Sequence, residues 1–434
     1  MQIRRHRDPR LDFFRGLAML IIFVAHVPGN SWTLFIPARF GFSSAAEMFV
    51  FCSGYASALA FGAIFIQRGW WAGTVRILRR IWQLYCAHLG LFLLLGLVAV
   101  AAARLGIGAS GAVADLNLRA FADDRWGTIA RLMTLSYVPD LLNILPMYVV
   151  LLALVPLAMA LAKITPWLVL AASVGLWALV QATDLNLPAG IAPGRAWFFD
   201  PFAWQLVFFT GFAFAGGWLP RTRLNQPVLL SISVAVVVLS VPINFWAFTD
   251  HFPQLLAIRD RLIPDGIVAT TRLEALRYVH FLCLAYVVLS LANRWPWGIA
   301  SSVLAWVLVI GRQALPAFLS SVVVARIAGM ALDVAGRGQL ATAAINLTGF
   351  AVIFYVARAA AWLKLAKADE APSPRRGTEL RHALLAHAAN AAKIRTLSRE
   401  RAPMRRRPEF QRATALELRR RHVWKEISGL TPGS

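Results

Sequence analysis
Apolar residues in this chain come in runs of roughly 18–25, the length an α-helix needs to cross about 30 Å of hydrocarbon. Backbone groups inside a bilayer must pair within the protein, which leaves helices and closed barrels as the spanning structures. A barrel would alternate in polarity over about 10 residues, and stretches such as Leu91–Ala103 and Val228–Val241 show no alternation. A soluble fold of the same 434 residues would need a polar surface. With 59% apolar and only 15% charged residues, there is too little polar sequence to cover one. The chain is therefore expected to be an all-α integral membrane protein, a bundle of about ten transmembrane helices.

Helices are expected near 11–28, 44–66, 80–103, 141–163, 166–182, 201–219, 227–248, 274–292, 311–333 and 340–363, with 298–310 an eleventh element along the interface. The formal charge of +23 gathers in the first fifteen residues, in short connections such as Arg68 to Arg80, Arg221 with Arg223, and Arg294, and above all after Trp362. That distribution marks cytoplasmic segments rather than a nucleic-acid surface, and no specific nucleic-acid partner is expected. The longer connections, 104–140, 183–200 and 249–273, fall outside and carry balanced charge, as with Asp115 in the first. An even count with N- and C-termini cytoplasmic satisfies the rule throughout. The first apolar run ends in Val27-Pro28-Gly29-Asn30 with no small-residue cleavage pattern, so it reads as a retained helix.

The composition divides the chain into a membrane domain, 1–365, and a basic, partly helical or disordered cytoplasmic tail, 366–434, suited to touching anionic lipid. Cys52, Cys86 and Cys283 all lie in apolar segments without metal-ligand spacing. They are expected as buried thiols, and no metal site is expected.

Ionisable side chains inside a spanning helix cost about 2.5–3.5 kcal/mol on insertion scales, which makes each a functional candidate. Arg15 and His26 share the first helix. Eleven residues at about 100° each come to three turns plus about 20°, so the two side chains lie on one face about 16 Å apart, either as a site or as a snorkelling arginine and an interfacial histidine. Asp12 is one turn from Arg15 and placed to pair with it. Glu47 opens the second helix on the side where the first one leaves. There it would hold the tautomer of His26 and raise its basicity, or simply complement the helix dipole. Ser53 and Gly54 read either as ligand contacts or as small residues for close helix packing. Arg76, Arg79 and Arg80, with Arg68, form an inner basic loop that reads either as an ordinary topology determinant or as donors for a ligand with several phosphates. Trp204 with Gln205 opens helix six with the aromatic and amide that sugar sites use, or as part of an interfacial belt. Helix eight carries Arg277 and His280 one turn apart, and Gly311 with Arg312 opens helix nine.

Together these segments resemble the OpgC family, within the wider acyltransferase-three superfamily of membrane-bound acyltransferases. The superfamily's mark is an arginine, ten residues and a histidine on the first helix, matched by Arg15 and His26. An aromatic-rich Ser-Gly stretch follows, matched by Phe49 to Tyr55, and then a basic segment, matched by Arg76 to Tyr85. The narrower likeness rests on Arg7 to Gly16, His26 to Asn30, Ala46 to Phe51, Asn143 to Tyr148, Trp204-Gln205 and Gly311-Arg312.

The resemblance implies transfer of an acyl group, succinyl in the OpgC case, from a cytosolic thioester to glucosyl hydroxyls of periplasmic glucans. It places the protein in the bacterial cell inner membrane, with membrane lipid and the glucan acceptor as partners. Acyl-CoA, here succinyl-CoA, would be a donor co-substrate, with no tightly bound cofactor. His26, Arg15 and Glu47 would carry the chemistry, with Arg15 orienting the thioester or attracting the free carboxylate of the acyl group. Arg76, Arg79, Arg80 and Ser53 would face the donor. Asp12, Trp204, Gln205, Arg277, His280 and Arg312 would face the substrate. Acetyl transfer to another surface polysaccharide, a proton-coupled transporter using His26 and Glu47 as a relay, and a non-catalytic membrane scaffold whose working part is the basic tail are the competing readings.

Overall fold
The computed structural model describes residues 8–107, 116, 118, 120–139, 142–190, 194–219, 226–294 and 302–370. Arg4, Arg5, Arg7, Asp115, Arg221, Arg223 and the tail from 371 onward, on which the charge distribution also drew, lie outside the described residues. The chain divides into two compact units, Met1–Trp362 and Leu363–Ser434. Every residue singled out above for chemistry falls in the first.

Each expected span is a helix: α1 (Pro9–His26), α2 (Ala45–Arg68), α3 (Trp70–Arg104), α4 (Ile144–Leu161), α5 (Pro166–Thr183), α6 (Pro201–Gly216), α7 (Pro227–Asn244) and α8 (Ala275–Arg294). Then come α9 (Ser302–Arg312), α10 (Ala314–Ala335) and α11 (Gln339–Glu370). Among the described residues, eight helices are long and apolar enough to cross a membrane. That is two fewer than expected: the 18-residue α1, which carries Arg10, Asp12 and Arg15, and the 16-residue α6 are helices that fall short of the measure. Proline at the first position begins α1, α5, α6 and α7, where its missing N–H would have no helical partner anyway. The Asp8 and Asp200 side chains cap α1 and α6 by accepting the backbone N–H of Arg10 (2.9 Å) and Phe202 (2.8 Å).

Three expectations change. The basic segment at 76–80 is not a loop. The chain turns at Gly69, whose φ is +85°, and α3 starts at once and runs for 35 residues, about 52 Å at helical rise and well beyond the hydrocarbon thickness. The element expected along the interface at 298–310 is α9, packed against α1 and divided from α10 by Gln313 (φ −113°, ψ 46°). Gly311 and Arg312 therefore close α9 instead of opening the next helix. Cys86 is exposed rather than buried, because that face of α3 is not covered by another helix.

Of the eight, α2 is the most buried, at 56% of its 18-residue apolar window, and α7 the least, at 11%. Helix α6 is apolar all round, and Trp204, Phe208 and Phe212 on it are fully buried. Two seams bring backbones into contact. A Cβ on Gly54 would lie 1.9 Å from the Phe208 carbonyl oxygen, and one on Gly211 would lie 2.2 Å from that of Phe51, which locks α2 to α6. The same device joins α1 to α9, through Gly16 against the Val307 carbonyl (2.1 Å) and Gly311 against that of Asp12 (1.7 Å). Lipid is as apolar as leucine, so close backbone packing of this kind takes over the role that the hydrophobic effect plays in water.

Leucine at Gly54 will force α2 and α6 apart and lower the thermal midpoint in detergent, a loss of about 1–3 kcal/mol or more. Leucine at Gly90, where a Cβ would meet nothing within 4 Å, will leave the midpoint unchanged. Survival on size-exclusion chromatography after heating reads both.

Candidate active site
His26 is the last residue of α1 and is half-buried. Its Nδ1–H donates to the Ile22 carbonyl, one turn back, at 2.7 Å. With the proton assigned to Nδ1 by that bond, the lone pair stands on Nε2. The chain then leaves the helix through Pro28 and Gly29 (φ +70°) to Asn30, which is buried and exchanges reciprocal amide hydrogen bonds with Asn346 of α11 at 2.9 and 3.0 Å. Arg337 donates to the Pro28 carbonyl at 2.9 Å, and Gly349 leaves room for the Phe23 ring. The end of α1 is thus held by α11 and by the connection that leads into it.

Arg15 stands eleven residues earlier, about 16 Å along the axis. Its Nε is buried with no hydrogen-bond partner among the described residues, and its charge reaches the Cys52 thiol on α2. Asp12, expected beside Arg15, is 3.6 Å from Arg312 Nε instead, because the glycine seam brings the end of α9 onto the first turns of α1. Arg312 is half-exposed at that point.

Glu47 does not take the place expected for it. It is fully buried, and both oxygens are engaged. Oε1 accepts from Arg277 Nε at 3.0 Å and from its terminal nitrogen at 2.5 Å, while Oε2 accepts from the Ser44 N–H and hydroxyl at 2.8 and 2.7 Å. No hydrogen bond joins it to His26 among the described residues. The reason is depth. Phe49 of α2 stacks on Phe318 of α10, eleven residues and about 16 Å along that helix from Gly329, and it is Gly329 that meets Pro28. Helix α2 therefore begins well below the level of His26. The orienting acceptor for the imidazole is a backbone carbonyl rather than a carboxylate.

His280 is buried with both nitrogens bonded, Nδ1 to the Ser43 hydroxyl (2.8 Å) and Nε2 to that of Ser240 (3.0 Å), and its ring lies over Gly41. Arg277 and His280 together clamp the segment that enters α2. Trp204 and Gln205 are also internal rather than facing a sugar. The indole N–H donates to the Thr270 carbonyl (3.0 Å), and the Gln205 amide is paired twice with Ser173, at 2.6 and 2.7 Å. Ser53 is buried in α2 beside the Gly54 contact. Arg76 and Arg79 are exposed on the first turns of α3, and Arg80, half-buried, donates to Gln83 at 3.3 Å. At i, i+3 and i+4 the three lie on one face.

Two polar groups escaped the sequence analysis. Arg326 is the lone charged residue between Arg312 and Asp333, and its charge reaches the His26 ring. His88 is buried in α3 with neither ring nitrogen partnered among the described residues. Both follow from the rule that made Arg15 a candidate. Asp200, which opens α6, does more than cap it. Its Oδ2 is buried without a partner, and burial pushes its carboxyl up to about 7, against backbone hydrogen bonds from Phe202 and Ala203 and the charge of Arg272.

A polytopic helical bundle that carries a tautomer-fixed histidine and arginines whose Nε atoms are buried is the build of a membrane protein with chemistry or transport inside it. A family model described as OpgC protein matches residues 7–365, and the chain belongs to that family. Membership implies a transferase. No curated protein and no solved structure shows a match to the chain.

Removing one partner of the buried Glu47–Arg277 pair, as in Arg277→Ala, will cost about 3–5 kcal/mol, read as lost folded protein in detergent. Asp200 holds its proton more tightly folded than unfolded. Its stabilisation is complete below the ordinary carboxylate range and is lost as pH rises through about 7. Asp200→Asn keeps a capping side chain, so it will raise the thermal midpoint at pH 8 and leave it unchanged at pH 4.

Proposed function
We propose that the protein is a membrane O-acyltransferase that moves a succinyl group from cytosolic succinyl-CoA to glucosyl hydroxyls of periplasmic glucans. In this reading it sits in the bacterial inner membrane with both termini cytoplasmic. Residues 1–365 form the catalytic domain, and 366–434 a basic tail against anionic lipid. The observation that carries the reading is the His26 imidazole at the end of α1, its Nδ1–H given to Ile22 and its Nε2 left as the basic atom. It stands about 16 Å from an arginine on the same face.

Nε2 takes the proton of a glucosyl hydroxyl as that oxygen attacks the thioester carbonyl. The tetrahedral intermediate collapses with cleavage of the C–S bond. The thiolate leaves and recovers the proton from the imidazolium, so the products are the glucan ester and free thiol. The Ile22 carbonyl steadies the ring in both charge states. Arg76, Arg79 and Arg80 serve the donor phosphates, supported by their shared face at the start of a helix long enough to extend past the hydrocarbon. Arg15 orients the thioester arm between the two ends. Gln205, Arg277 and His280 serve the architecture instead of the substrate, since their polar atoms are engaged within the bundle.

His26→Ala will lower transfer by about 10²–10⁴-fold without changing membrane insertion, whereas Arg80→Ala will raise KM for the donor. Masses of periplasmic glucans from a deletion strain restored with each form check the first outcome. Return of the full succinyl increment with His26→Ala would refute the proposal.

A further inference from the structure
Helix α10 runs beside α1 in the same direction. The preceding α9 meets the first turns of α1 at Gly16, and Gly329 of α10 meets Pro28 just past its end, with a Cβ there only 2.6 Å from the proline ring. Arg326 comes three residues before Gly329, one turn or about 4.5 Å back along the same face. His26 comes two residues before Pro28. The two side chains therefore stand at one level on facing helices. The Arg326 Nε is buried, and Ala325 and Val322 beside it are packed into the core.

We propose that Arg326 reads the far end of the acyl group, its guanidinium holding a carboxylate carried by the acyl chain while the thioester carbonyl stands at His26 Nε2. This inference rests on the acyl-transfer reading above and assigns the residue that selects acyl groups ending in a carboxylate. Length decides between the two arginines. The two carboxyl carbons of a four-carbon diacid are separated by three bonds of about 1.5 Å, so they lie about 4 Å apart. Arg15 is about 16 Å away along α1, and side chains on one helix tilt the same way, so Arg15 is out of reach when the carbonyl is at His26. Arg326 is within reach. Charge argues in the same direction. A proton arriving on the imidazole beside Arg326 sets two positive charges side by side, and a carboxylate on the guanidinium offsets that repulsion. An acetyl group offers no such offset. A planar guanidinium also matches a carboxylate in bidentate geometry, which an ammonium does not.

The test compares succinyl-CoA with acetyl-CoA as donors to periplasmic glucan, using the full-length protein in detergent as wild type, Arg326→Gln and Arg326→Lys. Arg326→Gln is expected to lose about 10–100-fold in kcat/KM with succinyl-CoA, the loss of charge-assisted hydrogen bonds, while the acetyl rate holds or rises. Arg326→Lys is expected to keep an intermediate succinyl preference. The donor ratio within one preparation does not depend on how much of the variant folds. An unchanged ratio, or an equal loss with both donors, would overturn the assignment of Arg326. A wild type that transfers neither group would overturn the acyl-transfer reading beneath it.

Discussion
The position of His26 depends on how closely α1 can lie against its neighbours. At Gly16 and Gly311 the backbones of α1 and α9 touch, and at Gly329 and Gly349 the following helices close over Pro28 and Phe23. Side chains at those four positions would hold the helices apart and move the imidazole away from whatever faces it. Packing of this kind is short-ranged, and it fixes depth as well as distance, since each contact pairs one level of α1 with one level of its partner. The facing of His26 and Arg326 is a consequence of that register.

A second constraint sets the depth of α2. The entry segment is tied down by Glu47 with Arg277 and by His280 with Ser43 and Ser240. A buried ion pair adds little net stability over an apolar pair of the same shape, yet losing one member is costly. Such a pair therefore acts mainly to specify one arrangement. Here that arrangement starts α2 below the end of α1. It leaves the imidazole to a backbone carbonyl and reserves the carboxylate for the scaffold.

The polar groups consequently fall into two sets. Glu47, Arg277, His280, Trp204 and Gln205 have their polar atoms engaged inside the bundle, and each satisfied group removes a penalty that lipid would impose. Arg15 Nε, both nitrogens of His88 and Asp200 Oδ2 are buried without such partners among the described residues. In a membrane protein, atoms left so are candidates for contact with water or a passing ligand. The division could not be read from residue type, since arginine, histidine and carboxylate occur in both sets.

The sequence by itself determined the helical membrane class and where the helices lie. It also determined the common face of Arg15 and His26, because hydrocarbon thickness, helical rise and helical period act within a single segment. Its errors were at places where helices meet. The basic segment at 76–80 joined a long helix once Gly69 supplied a sharp turn, and Asp12 found Arg312 because a glycine seam folded α9 onto it. Glu47 found Arg277 instead of His26. Which residues share a level across different helices is set by the register of backbone contacts between segments far apart in the chain. Only the tertiary structure decides that, since hydropathy, period and charge count act along the chain and carry no term for the distance between one helix and the next.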